Sequence, residues 1–371
     1  MAQRRLRITF VLAGRGLAGG VRIIVSHGNR LIERGHEVTI VLLRRPLPRR
    51  PRALVRRLYQ DGLCATGWER DHVHDFRGRV VSARPDRLAD TVPDGDAVVA
   101  TLWRTADWVA GLPASKGRKY YFIQGYEVFA FGSPRVDATW RLPMHKIVVS
   151  RWLQALARDR FGDPHATLVP NGVDLSTFGA PKREKQNPPV VGIMYERQRN
   201  KGIDLAVEAI RLARREIPNL RVVSFGPHGA SSEVPLPPGT EFHKRPPQSR
   251  IPTIYRKADV WLLASRSEGF GLPILEGMAS RCPVVATRCG GPEDIVEDGV
   301  NGYLVPVDDA QELANKVVAI LSDDGSWSRM SEAAYQTSRR FDLSKSVDRF
   351  EALLMGGEGE AVSYRETGGS A

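Results

Sequence analysis

The alternation of strand-like and helix-like segments is the feature that most constrains the fold of this chain. Residues 6–13 form a mainly apolar run rich in Ile, Val and Phe, which is typical of a buried strand. After a glycine-rich stretch, apolar residues recur at helical spacing as far as Gly35, which suits a helix C-terminus. A second apolar run follows at 37–43. This strand–helix–strand unit predicts a parallel sheet covered by helices on both faces.

The strand-like segments fall into two series, and 371 residues suit two domains at roughly 150 residues each. A polar, proline-containing segment at 179–189 separates the series and predicts a linker. We therefore expect domains at 1–178 and 190–342, a last helix at 343–355 that can cross back, and a disordered tail at 356–371. The predicted strands lie at 6–13, 37–43, 97–101, 119–124, 146–150, 167–169, 190–195, 221–225, 241–243, 260–264 and 283–287.

Composition and termini exclude several classes of protein. No apolar run approaches the roughly 20 residues that a membrane-spanning helix needs. The segment 1–5 leads straight into a strand and has no apolar signal-peptide region. Cys64, Cys282 and Cys289 are too few and too scattered for a disulfide framework or a zinc site. These features predict a reduced, cytoplasmic protein.

The net charge of +12 favours anionic partners. Residues 44–57 contain seven arginines, interrupted by three prolines. This segment is either a solvated loop or a docking patch for the anionic inner face of a membrane. Nucleic acid is not expected as a partner, because the sequence has no basic-plus-aromatic recognition module.

A Gly-x-Gly-x-x-Gly pattern at Gly14, Gly16 and Gly19 follows the first strand. In dinucleotide-binding proteins this pattern precedes an acidic residue at the end of the second strand, but here Arg44 and Arg45 occupy that position. An NADP-dependent oxidoreductase, with Arg44 on a 2′-phosphate, is therefore one alternative. Independently of the ligand, glycines before a helix N-terminus let the backbone approach a diphosphate.

The segment 265–279 combines glycines with two carboxylates. Gly269 and Gly271 leave backbone N–H groups able to face an anion or hydroxyl groups, and a proline follows at the first turn of a predicted helix. We expect Glu276 within that first turn and Glu268 in the loop, with seven residues between them. Carboxylates can accept hydrogen bonds from vicinal diols, so the pair suits two sugar rings of one ligand. The alternative is that both carboxylates interact only with the helix dipole.

The Glu268-x7-Glu276 motif resembles that of the family 4 retaining glycosyltransferases. Further similarity lies in the segments 283–296 and 298–306, in Gly19-Gly20 and in the Pro-Asn-Gly-Val-Asp run at 170–174. The resemblance implies the GT-B fold: an α/β protein with two facing Rossmann-like domains, parallel sheets and an interdomain cleft. It further implies an acceptor site in the first domain and a nucleotide-sugar donor site in the second.

The resemblance also implies roles for residues of the second domain. Glu276 would bind the ribose hydroxyls of the donor, and Glu268 would bind hydroxyls of the transferred sugar. Lys201 would hold the diphosphate; the family's partner arginine is replaced by Glu196, and we assign its role to Arg197. The backbone N–H groups expected to help bind the donor belong to Gly269, Phe270, Gly271 and Leu272.

In the first domain the resemblance assigns donor contacts to Gly19 and Gly20. Many family members place a histidine after the central strand, facing the transferred sugar. Gln124 stands there in this chain and is predicted to take part in catalysis, with Glu127 nearby. This segment is similar to that of a branch containing rhamnosyl- and mannosyltransferases.

The implied function is retaining, metal-independent transfer of a hexose from a nucleoside-diphosphate sugar to a hydroxyl of a glycan or glycolipid, as in polysaccharide biosynthesis. No cofactor and no metal are expected. GDP-mannose or a UDP-hexose is the favoured donor, with a dTDP- or UDP-deoxysugar of the rhamnosyl type as the alternative. An NADP-dependent oxidoreductase and a non-catalytic sugar- or lipid-binding relative are the hypotheses of other classes.

Overall fold

A computed structural model describes residues 4–43, 71–128 and 133–356. The described residues form two compact units. The first comprises the described residues up to Val149, Gln154–Val169 and Val347–Gly356, and the second comprises Ser150–Leu153 and Pro170–Ser346. The arginine-rich segment 44–57 and residues 357–371 of the predicted tail lie outside the described residues. Within the described ranges, no helix combines the length and the apolar character that crossing a membrane requires.

The first unit is built on a sheet of seven parallel strands in the order β3-β2-β1-β4-β5-β6-β7. Helices follow most of the strands, as connections between parallel strands require. The strands are β1 (Arg7–Leu12), β2 (Glu37–Leu43), β3 (Arg79–Ala83), β4 (Ala97–Ala100), β5 (Arg118–Ile123), β6 (His145–Val148) and β7 (Thr167–Leu168). The helices are α1 (Gly19–Glu33), α2 (Leu88–Thr91), α3 (Trp103–Ala110), α4 (Ser133–Trp140) and α5 (Arg151–Phe161), whose first turn packs with the second unit.

The second unit is built on a sheet of six parallel strands in the order β10-β9-β8-β11-β12-β13. Its strands are β8 (Val190–Met194), β9 (Arg221–Gly226), β10 (Glu241–Lys244), β11 (Val260–Leu263), β12 (Val284–Thr287) and β13 (Gly302–Val305). Its helices are α6 (Leu175–Phe178), α7 (Ile203–Glu216), α8 (Ile251–Arg256), α9 (Leu272–Ala279), α10 (Ala310–Ser322), α11 (Asp324–Arg340) and the first turn of α12 (Leu343–Leu354), the rest of which packs in the first unit.

Strand order reverses once in each sheet. In the first sheet, β1 lies between β2 and β4; in the second, β8 lies between β9 and β11. Chain connections leave in opposite directions on the two sides of such a point, which opens a crevice at the carboxyl ends of the strands. The loops that follow β1 and β4, and those that follow β8 and β11, are therefore the places where ligands are expected in each unit.

The predicted strands lie where the structure has strands, with ends shifted by one or two residues. Two strands, β3 and β13, were not predicted. Both are edge strands, and β3 is only partly buried, so it lacks the continuous apolar run that marks the central strands.

The segment 179–189, predicted as a linker, packs against the second unit. Arg183 Nη1 donates to the fully buried Asp259 carboxylate at 2.8 Å, and the backbone N–H groups of Gln186 and Val190 donate to the same carboxylate at 3.1 and 2.9 Å. A buried carboxylate is costly unless it is paired and hydrogen-bonded. Asp259 therefore fixes this stretch of chain, which lies within the Pro170–Ser346 part of the second unit.

The end of helix α12 is held in the first unit by stacking and by an ion-pair cluster. Phe350 is buried between Phe10 and Phe122, at ring-centroid distances of 5.8 and 5.2 Å. Beside it, the Glu351 carboxylate accepts from His36 Nε2 at 2.7 Å and from Arg34. Burial raises the pKa of Glu351, but the hydrogen bonds from His36 and Arg34 outweigh burial, so the net pKa lies below its usual value.

We predict that Glu351→Gln destabilises the first unit at neutral pH by about 1–3 kcal/mol, because a charge-assisted hydrogen bond is lost. A lowered carboxyl pKa stabilises the fold above the usual pKa of glutamate, and this gain is lost as the pH falls through the native value. The difference in thermal midpoint between wild type and variant should therefore be full at pH 7 and shrink below about pH 4.

Glu208→Gln is the matched control, because Glu208 pairs with Arg211 on the exposed face of α7. Exposed pairs contribute about 0–1 kcal/mol, so this variant should melt within about two degrees of wild type. Equal losses in the two variants would contradict a stabilising role for the Glu351 cluster.

Candidate functional site

An ion pair joins the two loops that follow β8 and β11, at the switch point of the second sheet. Lys201 Nζ donates to both oxygens of the Glu268 carboxylate, at 2.9 and 3.0 Å. The Glu268 side chain is almost wholly buried, whereas the Lys201 side chain is about one quarter exposed. Lys201 and Glu268 belong to separate sequence motifs that were assigned to the same ligand. The structure brings the two side chains into direct contact.

The position of Lys201 depends on a close backbone approach. A 3₁₀ turn at Arg199–Lys201 ends at Gly202, whose φ of 61° lies in the left-handed region. A Cβ atom at Gly202 would lie 1.8 Å from the carbonyl oxygen of Ala264, so a larger residue cannot be accommodated without moving the backbone. The loop after β8 can therefore lie directly on the end of β11, which places Lys201 beside Glu268.

Arg266 fixes the same two loops to each other. Its backbone N–H donates to the Asn200 carbonyl at 2.7 Å. Its guanidinium forms a two-pronged pair with Asp204 at 2.9 and 2.8 Å and a further hydrogen bond to Asp308 at 2.6 Å. Because a guanidinium holds carboxylates in a defined geometry, Arg266 keeps the two loops that carry the ion pair in a fixed position relative to each other.

Glu268 is held from both its backbone and its side chain. Its N–H donates to the Cys289 carbonyl at 3.0 Å, and its carbonyl accepts from the N–H of Gly291 at 3.1 Å. Ser265 Oγ donates to Glu268 Oε1 at 2.7 Å, and Thr287 Oγ1 donates to the Ser265 carbonyl. Burial raises the pKa of the neighbouring Cys289 thiol to about 12, so this cysteine is an uncharged, unreactive wall of the site.

The loop from Gly269 to Leu272 leads into helix α9. Gly271 has a φ of 103°, which glycine adopts without strain. Among the described residues, the backbone N–H groups of Gly269, Phe270, Gly271 and Leu272 donate to no other group. These N–H groups are the predicted ligand-binding donors, and they lie at a helix N-terminus, where negative charge and hydroxyl oxygens are favoured.

Glu276 lies further into α9 than the sequence predicted. Helix α9 begins at Leu272, and no acidic residue lies in its first turn. The helix begins directly after Gly271, whose left-handed backbone ends the loop, so four helical residues precede Glu276. Glu276 is therefore in the second turn, where it is buried, and a role restricted to the helix dipole no longer suits it.

Arg197 lies in the same unit as Lys201 but contacts a different loop. Its guanidinium donates to the Gly229 carbonyl through Nε and Nη2, at 3.2 and 2.5 Å. The side chain lines an open pocket of about 430 Å³, together with Tyr195, Ile203 and residues 230–234. The predicted contact of Arg197 with a diphosphate remains a prediction.

In the first unit, the glycine loop and Gln124 lie together at the carboxyl edge of the sheet. Helix α1 begins at Gly19, and a Cβ atom at Gly20 would lie 3.4 Å from Gln124 Cγ. Gln124 follows the end of β5, two strands from β1. Their predicted roles are untested by the structure, but the residues assigned to the first unit form one cluster.

Glu127 lies next to this cluster and titrates abnormally. Burial raises its pKa to about 7, against the opposing effects of the Trp103 N–H and the Arg104 charge. Burial likewise raises the pKa of Tyr121, a change that the Glu127 charge reinforces. A carboxyl group whose pKa burial raises to about 7 is a candidate for proton exchange near neutral pH.

Sequence reasoning missed the residues that hold the site in place. Ser265 and Arg266 lie three and two residues before Glu268, but no spacing rule distinguishes them from other polar loop residues. Ser150 and Trp152 contact the Gly269 carbonyl from 119 and 117 residues away. Contacts at that separation depend on the tertiary fold and leave no local signal.

The described residues contain no group of three histidine, cysteine, aspartate or glutamate side chains placed to hold a metal ion. The second unit brings together the Lys201 ammonium, two carboxylates and a row of backbone N–H groups within two neighbouring loops and one helix. Such a set can bind an anion beside several hydroxyl groups.

Comparisons with known proteins agree with this arrangement. The family described as glycosyl transferases group 1 matches residues 177–337. The chain is 34% identical over 207 residues to a D-inositol 3-phosphate glycosyltransferase of Xylanimonas cellulosilytica, covering 48% of each chain. It is 29% identical over 249 residues to the protein of the same name from Acidothermus cellulolyticus, covering 60% of this chain and 54% of that one. The chain thus spans about half the length of the curated relatives that it matches.

The fold is similar over almost the whole chain to solved structures with little sequence identity. Anabaena Alr3699/HepE, crystallised in complex with UDP and glucose, superposes with a TM-score of 0.74 at 18% identity, covering 95% of this chain and 100% of that one. Two parallel sheets of seven and six strands, each with its own switch point, constitute the GT-B fold. Residues 177–337, which include Lys201, Glu268 and Glu276, match the glycosyl transferases group 1 family.

Proposed function

We propose that this protein is a retaining glycosyltransferase that moves a hexose from a nucleoside-diphosphate sugar to a hydroxyl group of a glycan or glycolipid acceptor. The observation that carries the proposal is the Lys201–Glu268 pair beside the N–H groups of the Gly269–Leu272 loop, at a switch point. A cation suits a diphosphate, and a buried carboxylate suits sugar hydroxyls. Glu276, on the helix that follows the loop, is assigned to the ribose.

The proposed reaction breaks the bond between the anomeric carbon and the diphosphate oxygen. The acceptor oxygen forms the new bond on the same face of the sugar, and its proton passes to the departing phosphate. Negative charge grows on the leaving group, and Lys201 and the α9 N-terminus stabilise it electrostatically. Arg197 is the proposed second cation. No metal is required by this scheme.

UDP-hexose is the donor to test first. HepE binds UDP and glucose, and the favoured donors from the sequence were a UDP-hexose and GDP-mannose. The curated relatives are named D-inositol 3-phosphate glycosyltransferases, so a phosphorylated cyclitol joins glycans and glycolipids among the acceptors to assay. Because the first unit carries the proposed acceptor site, acceptor identity depends on the loops of that unit.

The proposal predicts that one nucleoside diphosphate raises the thermal midpoint of the protein. The panel comprises UDP, GDP, dTDP and their sugar conjugates, with NADPH as the competing ligand. Saturating ligand at 100 times Kd stabilises the native state by about 2.7 kcal/mol, which is several degrees in thermal midpoint. A shift with NADPH and with no nucleoside diphosphate would instead support the oxidoreductase alternative.

We predict that Lys201→Met weakens binding of UDP by about 10- to 100-fold, because a charge-assisted hydrogen bond to the diphosphate is lost. The measurement is titration calorimetry at fixed ionic strength. Lys316→Met is the matched control, since Lys316 pairs with Glu312 on helix α10 of the same unit. Equal affinities in wild type and Lys201→Met would contradict the proposed role of Lys201.

Substitution of the two carboxylates is predicted to change different quantities: UDP affinity for Glu276 and turnover for Glu268. Glu276→Ala should weaken UDP binding by about 10-fold or more, because the ribose hydroxyls lose a charged acceptor. Glu268→Gln should leave UDP binding within about threefold and lower turnover of the nucleotide sugar by about 100-fold, since its partner is the transferred sugar. Titration with UDP and a coupled assay of UDP release separate the two, and the reverse pattern would exchange the assignments.

A further inference from the structure

The Gly269 carbonyl is held by two side chains from a distant part of the sequence. Ser150 Oγ donates to it at 2.7 Å, and Trp152 Nε1 donates to it at 3.1 Å. Ser150 is fully buried. Both residues belong to the Ser150–Leu153 segment, which packs with the second unit although the rest of helix α5 packs in the first. Neither residue has a role in the proposed donor contacts.

A third hydrogen bond fixes the same helix turn. The backbone N–H of Arg151 donates to Asp294 Oδ2 at 2.6 Å. Serine before a helix commonly caps it by accepting from the first turn. Here Asp294 takes an N–H of that turn, and the Ser150 hydroxyl donates to the glycine loop. The Ser150 hydroxyl and the Trp152 indole N–H are therefore both directed at Gly269, the residue that follows Glu268.

The indole of Trp152 is also fixed by packing. A Cβ atom at Gly290 would lie 2.6 Å from Trp152 Nε1, so the ring lies directly on that glycine. Gly290 pairs with Glu268 in an isolated β-bridge. The donor atom of the indole consequently has a defined position relative to the backbone that carries Glu268.

Holding a carbonyl also orients the N–H of the same peptide. In a trans peptide, C=O and N–H point in opposite directions. Fixing the Gly269 carbonyl toward Ser150 and Trp152 therefore directs the Phe270 N–H to the opposite side. That N–H donates to no group among the described residues, and the Phe270 side chain is anchored in the interior, 3% exposed.

We propose that Ser150 and Trp152 are positioning residues for the transferred sugar: by holding the Gly269 carbonyl they keep the Phe270 N–H turned toward a sugar hydroxyl. The inference rests on the proposed function. A hydroxyl group placed there donates to Glu268 and accepts from Phe270. Were this peptide to rotate, its carbonyl would face the lone pairs of the hydroxyl, and the donor site would lose its second contact.

The test compares a nucleotide with and without its sugar. Trp152→Phe keeps an aromatic ring and removes the indole N–H, and Ser150→Ala removes the other donor. UDP lacks the hexose, so each variant should bind UDP within about twofold of wild type. UDP-glucose affinity should fall about threefold to tenfold in each variant, and further in the double variant. Titration calorimetry gives the ratio of the two dissociation constants.

Trp327→Phe is the matched control. The Trp327 indole also donates to a buried backbone carbonyl, that of Asp259, at 2.7 Å within the same unit. It should lower the thermal midpoint but leave the ratio of UDP-glucose to UDP affinity unchanged. A ratio that moves as much in this control as in Trp152→Phe would show general loosening of the unit and overturn the proposal.

The outcomes separate this inference from the function beneath it. If wild type binds UDP and UDP-glucose and the ratio is unchanged in both variants, the positioning role is wrong and the proposed function stands. If wild type binds neither, titration with GDP and GDP-mannose repeats the comparison. Failure of both pairs removes the proposed function, and the positioning role with it.

Discussion

The approach of the Gly202 backbone to the Ala264 carbonyl is the constraint on which the candidate site depends. Because glycine has no side chain, the loop after β8 can rest on the end of β11. Lys201 then lies beside Glu268, and Arg266 holds both loops through Asn200 and Asp204. Together these contacts give the loops at the point where the strand order reverses a charged site of defined geometry.

Buried carboxylates organise both units, each compensated in its own way. Asp259 is fully buried and accepts from Arg183 and from the N–H groups of Gln186 and Val190, which attaches the chain entering β8 to the second unit. Glu351 performs the equivalent task in the first unit through Arg34 and His36. Glu268 is buried and paired to a similar degree, but the loop that follows it carries backbone N–H groups that donate to no other group among the described residues.

The parts of the molecule that could be predicted from the sequence are those with a local signal. Central strands and the Glu268-x7-Glu276 spacing are local patterns, and Lys201 follows from a motif next to a strand. The edge strand β3 was not predicted because it is only partly buried and lacks a continuous apolar run, whereas β13 was missed although it is mostly buried. Helix α9 begins at Leu272, directly after the left-handed Gly271, so Glu276 lies in its second turn and not in the first turn as predicted.

The remaining features depend on contacts between distant segments. Arg197 was assigned from its place in a loop, yet its guanidinium contacts Gly229, which belongs to the loop after β9. Ser150 immediately precedes helix α5 and Trp152 lies in its first turn, positions that carry no sequence signal of function. Their partner is more than 100 residues away. The segment 179–189 has the composition of a linker, but Asp259 binds it. Composition indicates how a segment behaves in isolation, whereas here the buried Asp259 carboxylate fixes the position of the segment.

Hydrogen-bond capacity explains how the ion pair can serve as a binding site without being broken. An ammonium group has three donors, and two of those of Lys201 are directed at Glu268. One donor is left for a phosphate oxygen. A carboxylate has about four acceptor positions, of which Lys201 and Ser265 occupy three in Glu268. One position is left for a sugar hydroxyl, so a donor that carries both a diphosphate and a sugar can bind to the pair as it stands.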